Sequence, residues 1–486
     1  MSMPMPHRMR RRSLWRRLVL RYYILRYRSR HALRPLQGRT SSVMEDLPVE
    51  IIEAIVGYLS SRDILRFRQT CSKLYSKTNE YCSRHLFHTL VSDLSLDELY
   101  YLSTHFINNA QLAAGVRTFR VELKNPAQGL GYDYYWNRRK RGRHLILPCD
   151  GFEALHMLFG HYLTNCSAIQ IHAKDRQSEI DGPDDQLEPA DVLQLILLLA
   201  QQVSDFRPKS LELCAPARGE GMRTKGTHLT AERLSMDVIT DPQTLSMLAA
   251  LEDVSLSLVY PDDLVESGWL GAFFGSFQSL QRLELDLDMA WGELESAEAL
   301  IRRLRCPLLK DLQLHRFKTT LDTLNELLKP CATRLVSLVL GSITLVGSLA
   351  QQESWKSWLK SIPDTLPNLN VLDIDLLTAS YSEGQRLHLH FADLAGFSIP
   401  EENEDQDWDR VGLPKYRTRK YEYVPPGDDS SDFGKEVART PLVFEVASHG
   451  WSRADELVLP GIKYEGTEMR KAVQFMWEHA EEFNMF

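Results

Sequence analysis

The sequence predicts an α/β protein in which three short packed helices precede an irregular solenoid of alternating strand and helix units. Three observations predict it: a double-faced helical pattern over residues 44–90, a recurring apolar triplet at relative positions 1, 4 and 6, and helix-like segments between the triplets. At 486 residues the chain exceeds one ordinary core, so several structural units are expected. A composition of 43% hydrophobic and 25% charged residues is globular and excludes disorder throughout.

The helical module opens on Met44-Glu45-Asp46-Leu47-Pro48. Pro48 suits the first helical position, where a missing N–H costs nothing, and it holds Leu47 extended. Ile51, Ile55, Tyr58 and Leu59 recur at helical spacing, and Ile52 and Val56 widen the stripe beyond one face. Such a helix has two sides to bury. Ser60 and Asp63 have capping-box spacing, and Ile64, Phe67, Cys71 and Leu74 follow at intervals of three and four. So small a module should leave apolar surface uncovered, which a partner would cover.

Leu47-Pro48-x-Glu50-Ile51-x-x-x-Ile55-x-x-Tyr58-Leu59 and Asp63-Ile64-Leu65-Arg66-Phe67-Arg68-Gln69-Thr70-Cys71-x-x-Leu74-Tyr75 together resemble an F-box of the fungal type. The resemblance implies docking on a Skp-type adaptor, and through it on a cullin/RING ubiquitin ligase. Leu47, Pro48, Ile51, Ile55 and Leu59 would then lie in the adaptor interface, with Ile64, Leu65 and Cys71 supporting or joining it. On this reading the chain is a non-catalytic subunit that holds a protein substrate, without a cofactor, in the nucleus and/or cytoplasm.

In the body the triplets are Leu251/Val254/Leu256, Leu280/Leu283/Leu285, Leu309/Leu312/Leu314, Leu335/Leu338/Leu340 and Leu369/Leu372/Ile374, with starts 29, 29, 26 and 34 residues apart. Weaker copies begin at Val116, Cys166 and Pro208. Helix-like segments cover 189–203, 242–251, 264–278, 294–304 and 321–330. The arrangement resembles leucine-rich repeats, in which stacking buries faces that one unit cannot bury alone. Val259, Asp288, Phe317, Ile343 and Leu377 stand where that family places Asn or Cys, so the usual asparagine ladder is missing.

Alternation along the strands turns Leu283, Leu285, Leu312, Leu314, Leu372 and Ile374 toward the helices and their neighbours outward. The outward set includes Asp253, Glu284, Asp286, Asp288, Asp311, Asp373 and Asp375, with Arg282 and His315 as the basic company on these strands. Side by side they predict an acidic concave face suited to a basic segment of a target.

Charge is uneven along the chain. Residues 1–43 hold 12 Arg, no Lys and no acid, which leaves 45 basic residues against 65 acidic ones in the remainder. As a helix the arginines would occupy opposite faces, which excludes an amphipathic transit segment, and no secretory core is present. Two readings stay open: a nuclear-localisation or polyanion-binding arm, and an unstructured leader ahead of a start at Met44.

Residues 125–143 mix Tyr132, Tyr134, Tyr135 and Trp136 with Arg138, Arg139, Lys140, Arg141 and Arg143, and read as a mobile loop rather than a nucleic-acid surface. His388 and His390 share a strand face but lack a third ligand. The seven cysteines are scattered singly and read as small buried hydrophobes. The longest apolar run, Val192–Ala200, is half the roughly 20 residues needed to cross a bilayer, so no membrane span is expected.

The expected organisation is a basic disordered arm (1–43), the F-box (44–90), linker helices with the basic and aromatic loop (91–150), the leucine-rich-repeat-like domain (151–400), a flexible insertion (401–440) and a cap (441–486). Beside the ligase reading stand an F-box scaffold acting outside the ligase, binding nucleic acid through the arm, and a hydrolase, for which no nucleophile motif is found.

Overall fold

A computed structural model of the chain describes residues 43–124, 129–132, 134, 136, 138, 144–172, 186–214, 227–259, 262–288, 294–316, 318–347, 354–381, 386–391, 417–423, 442–448, 452–453, 456–457 and 461–484. The basic arm (1–42), Glu401–Asp409 and the side chains of Asp288 and His390 lie outside this description. The fold is mixed α/β: helices across residues 49–85, then a strand-rich body. Two compact units divide between Asn79 and Glu80.

In the first unit, helices Val49–Val56, Ser61–Thr70 and Ser72–Lys77 bury Ile52, Val56, Ile64 and Leu74. Pro48 sits at the N-cap, one residue ahead of the expected position, with φ −54° and ψ 151°. Ser60 caps the second helix, its Oγ accepting from the Asp63 N–H at 3.3 Å. Cys71 Sγ caps the third, accepting from the Leu74 N–H at 3.4 Å. The buried Arg68 donates to Thr78 Oγ1 at 3.1 Å and Asn79 Oδ1 at 2.6 Å, and its guanidinium lies 4.2 Å from the Tyr75 ring centre. A buried charge is tolerable only when its donors are used in this way.

The unit boundary falls inside the segment expected to form the 44–90 module. Cys82 and Ser83, from the helix Asn79–His85, are buried in the second unit, where a Cβ on Gly115 would meet Ser83 Oγ at 1.8 Å. Only glycine permits that approach. Residues 91–150 contain more than linker helices, because Thr118–Glu122 is a strand of the main sheet.

In the second unit, Thr89–Ser92, Thr118–Glu122, Ala168–His172, Ser210–Cys214, Asp253–Val259, Arg282–Asp288, Asp311–His315, Ser337–Gly341 and Val371–Asp375 lie side by side. All are parallel and follow chain order. Parallel neighbours require a crossover, and every connection carries at least one helix. The leading copies at Val116, Cys166 and Pro208 join the same ladder: Phe119, Ile169, Leu211, Val254, Leu283, Leu312, Leu338 and Leu372 form one in-register buried column. Val121, Ile171, Leu213, Leu256, Leu285, Leu314, Leu340 and Ile374 form a second.

The turn after the strand was not expected. Arg316, Ser342 and Leu376, at relative position 8 of successive units, all adopt left-handed backbone with φ of 56°, 54° and 50°. The Arg316 N–H donates to the Gly341 carbonyl at 2.9 Å and the Ser342 N–H to the Asp375 carbonyl at 2.8 Å, so each corner is pinned to the next strand. Beyond the corners, Lys318–Thr319, Thr344–Gly347 and Thr378–Tyr381 pair in parallel as a second sheet. Buried Ile343 and Leu377 thus fill, by packing, the place where an asparagine ladder was missing.

One expectation at the far end is corrected. Arg417–Tyr423, placed in a flexible insertion, is a strand that pairs antiparallel with Leu442–Ser448. Within the expected cap, the helix Met469–His479 is followed by the strand Ala480–Asn484, which pairs antiparallel with Arg386–Phe391. A helix at Trp355–Thr365 went unnoticed although Trp355, Trp358, Leu359 and Ile362 mark its buried face.

The apolar run at Val192 belongs to Pro189–Gln202, a helix buried on almost every side. Its Asp191, fully buried, accepts from Arg138 at 2.6 and 2.8 Å and from Arg233 at 2.8 Å. Among the described residues no helix is long and apolar enough to cross a membrane.

The columns and the corners make opposite predictions. Leu340→Ala, in the buried column, should cost about 2–5 kcal/mol. Leu376→Gly relieves a left-handed strain of about 1–2 kcal/mol against a flexibility cost of about 0.5–1 kcal/mol. Urea denaturation should therefore show it neutral or slightly stabilising.

Candidate functional site

The first unit buries one side of its leading helix and leaves another bare. Ile52 and Val56 face inward, while Ile51 is 47% and Tyr58 93% exposed, seven residues apart and so on one face. Ile55 and Leu59 are half-buried beside them. Of the eleven exposed large hydrophobics among the described residues, five lie here: Val49, Ile51, Tyr58, Leu65 and Tyr75. They fall within 27 residues of one another in the sequence, whereas exposed large hydrophobics are otherwise scattered singly among the described residues.

The expected adaptor residues are placed as follows. Pro48, Ile51 and Leu65 are exposed, and Leu47, Ile55, Leu59 and Cys71 are half-buried. Ile64 is 2% exposed and belongs to the interior. The Leu47 carbonyl accepts from Lys77 Nζ at 2.5 Å, which ties the proline-led entry to the third helix. Val49 and Tyr75 were not singled out as site residues, although Tyr75 stood in the motif; only the burial of their neighbours reveals them.

Residues 44–89 match the F-box-like family model. The chain carries an F-box. No match was found among curated proteins. F-box domains are protein-interaction modules, generally non-catalytic, that typically bind Skp-type adaptors, and no enzyme family is indicated for this chain.

Beyond the F-box, the outward side of the main sheet carries the other candidate residues. One row runs Arg120, Gln170, Glu212, Ser255, Glu284, Gln313, Val339, Asp373 and Lys463 in register across nine strands. Asp286 lies in the next row beside His315, and Asp311 in the row opposite Arg282. The strand between the acidic groups offers Ser337, Val339 and Gly341, so Glu284, Asp286 and Asp311 are separated from Asp373 and Asp375 by a neutral stripe.

Basic residues also answer this face more fully than the strand sequences implied. Arg316 reaches Asp286 with two donors at 2.5 and 2.7 Å, because the left-handed corner turns it back over the sheet. Arg282 meets Asp253 at 2.5 Å, and Lys463 meets Glu445 at 3.4 Å. Glu284 remains exposed and accepts from Ser255 Oγ at 2.9 Å.

The aromatic and basic loop is not free surface where it is described. Tyr134 and Trp136 are buried, the indole donating to the Gly131 carbonyl at 2.8 Å, and Arg138 is held by Asp191. Tyr135 and residues 139–143 lie outside the description.

Among the described residues the grouped metal-type donors are His172, Glu212 and Cys214, and the side chain of His390 lies outside the description. Glu212 Oε1 accepts from Cys214 Sγ at 3.3 Å and lies 3.1 Å from His172 Nε2, while Oε2 accepts from Gln170 at 2.6 Å. The hydrogen bond from His172 is the main cause holding the Glu212 carboxyl below its usual range. Burial, then the Glu212 charge, push the Cys214 thiol up to about 12.

Asp373 behaves oppositely to Glu212. Burial raises its pKa, with Lys463 pulling the other way and Asp375 adding to the rise. The folded state therefore holds the proton more tightly than the unfolded chain, so ionisation costs stability once pH exceeds the folded pKa. Asp373→Asn should raise Tm by about one to two degrees near pH 7. The gain should vanish near pH 3, where both states are protonated, as a pair of thermal melts would show.

Proposed function

We propose that this protein is the substrate-recognition subunit of a Skp–cullin–F-box ubiquitin ligase. The single observation that supports it is the bare apolar surface around Ile51, Tyr58 and Leu65 on a matched F-box-like domain. Leu47, Pro48, Ile51, Ile55 and Leu59 form the adaptor-binding edge in this reading, with Leu65 beside them and Cys71 shaping it as a cap. Ile64 supports the edge from within. Burying the exposed helix face against the adaptor supplies the affinity, at about 25 cal/mol per Å² of apolar area before the costs of association.

The F-box is then of the fungal type and the body an irregular leucine-rich-repeat-like solenoid, the latter favoured by its chain-ordered parallel strands and recurrent corners. Its outward face, with Glu284, Asp286, Asp311, Asp373 and Asp375 and, in this reading, Asp288, meets a target with basic side chains, in the nucleus or cytoplasm. Its contribution to ubiquitin transfer is proximity: a bound target shares the effective concentration of the charged enzyme. Because Arg316 and Arg282 offset part of the acid, Glu284 and Asp311 carry most of the attraction.

Two measurements test this. Ile51→Glu with Leu65→Glu should weaken adaptor binding at least about 100-fold, since each places a charge in an apolar interface, while leaving the thermal melt unchanged. Retained binding would refute the docking edge. For the target face, Glu284→Lys with Asp311→Lys should lose captured proteins from cells while adaptor binding persists; an unaltered set of captured proteins would remove the acidic-face reading.

A further inference from the structure

On the outward side of the sheet, His172 and Cys214 are an in-register cross-strand pair, and Glu212 stands two residues before Cys214 on the same face. Their nitrogen, oxygen and sulfur atoms all lie within 4.8 Å of one another. Glu212 Oε1 is the focus, 3.1 Å from His172 Nε2 and 3.3 Å from Cys214 Sγ. Bond lengths of about 2.0–2.3 Å at a tetrahedral Zn2+ put neighbouring ligand atoms about 3.3–3.7 Å apart. The two edges at Oε1 differ from that by a few tenths of an ångström, and the third, between the His172 nitrogen and the Cys214 sulfur, is within 4.8 Å.

We propose that His172, Glu212 and Cys214 form a binding site for a borderline divalent transition ion of the zinc class. One imidazole, one carboxylate and one thiol suit such an ion better than Mg2+ or Ca2+, which prefer all-oxygen sets. The fourth position is left to water.

Binding balances simply. The Cys214 thiol loses its proton to solvent and forms the metal–sulfur bond, while the His172 imidazole binds through the Nε2 lone pair, any proton on that nitrogen passing to Nδ1 or to solvent. The ion displaces both hydrogen bonds to Oε1 and coordinates that oxygen. A dication with one thiolate and one carboxylate leaves the half-buried site electrically neutral, which limits its desolvation cost.

Outer groups already aim the carboxylate. Gln170 Nε2 donates to Glu212 Oε2 at 2.6 Å, and Arg120 Nε donates to Gln170 Oε1 at 2.8 Å. This chain fixes Oε2 and leaves Oε1 toward His172 and Cys214, as outer-shell partners do around metal ligands. Gln170 and Arg120 are positioning residues in this arrangement.

The test uses the full chain stripped of metal with a chelator and titrated with Co2+ and then Zn2+. Co2+ is expected to give a sulfur-to-metal charge-transfer band in the near ultraviolet that Zn2+ quenches. Cys214→Ser should abolish the band, and Gln170→Ala should weaken affinity about 10–100-fold with the band retained. A band that survives Cys214→Ser, or none in the natural sequence, overturns the site. Alkylation of the natural sequence needs no variant: saturating Zn2+ should protect Cys214 and leave half-buried Cys71 unchanged. Equal labelling of Cys214 with and without Zn2+ also refutes the proposal.

Discussion

The body depends on burying alternate residues of parallel strands in register. Each strand alone has a greasy side that nothing local covers, and the helix that follows it covers that side only when neighbouring strands stand beside it. The column from Phe119 to Leu372 is that condition made visible, because a slip of one residue in any strand would send its leucines to solvent. The same register fixes what the other side presents. Arg120 bonds Gln170, Gln170 bonds Glu212 and Ser255 bonds Glu284 because the apolar residues beneath them are in register.

The F-box works by the opposite principle. Its small interior, Ile52, Val56, Ile64 and Leu74, is closed with help from a buried arginine, and the remaining apolar groups stay outside. One unit is therefore complete in itself through long-range stacking, while the other keeps an unfinished face. That division fits an adaptor, which has to bind two different proteins through surfaces of different chemistry.

Much of this was legible in the sequence because the signals are local. Leu47-Pro48 before a double-faced helix and the 1, 4, 6 triplets need only neighbouring residues to be seen, and even the faint copies at Cys166 and Pro208 fall on strands. The corners were hidden because Arg316, Ser342 and Leu376 share a backbone conformation but no residue type, and none is the glycine that usually announces it. The Arg316–Asp286 pair and the His172–Glu212–Cys214 group were hidden for another reason: Arg316 is 30 residues from Asp286, and His172 is 40 or more from Glu212 and Cys214, so they meet only through strand register. The strand Thr89–Ser92 was missed because it is short and follows a helical stretch without a break signal.

The antiparallel strands at the far edge set where the row of units stops. Gly461–Glu465 runs against Val371–Asp375, and Leu442–Ser448 and Arg417–Tyr423 follow, each antiparallel to its neighbour. A strand entering head-to-tail has no crossover by which a further parallel unit could be appended there, and its backbone amides are spent on its own neighbours. The edge of Val371–Asp375 is thereby covered: without Gly461–Glu465 beside it, its N–H and C=O groups would stand open to any passing extended chain, an invitation to fibrous association.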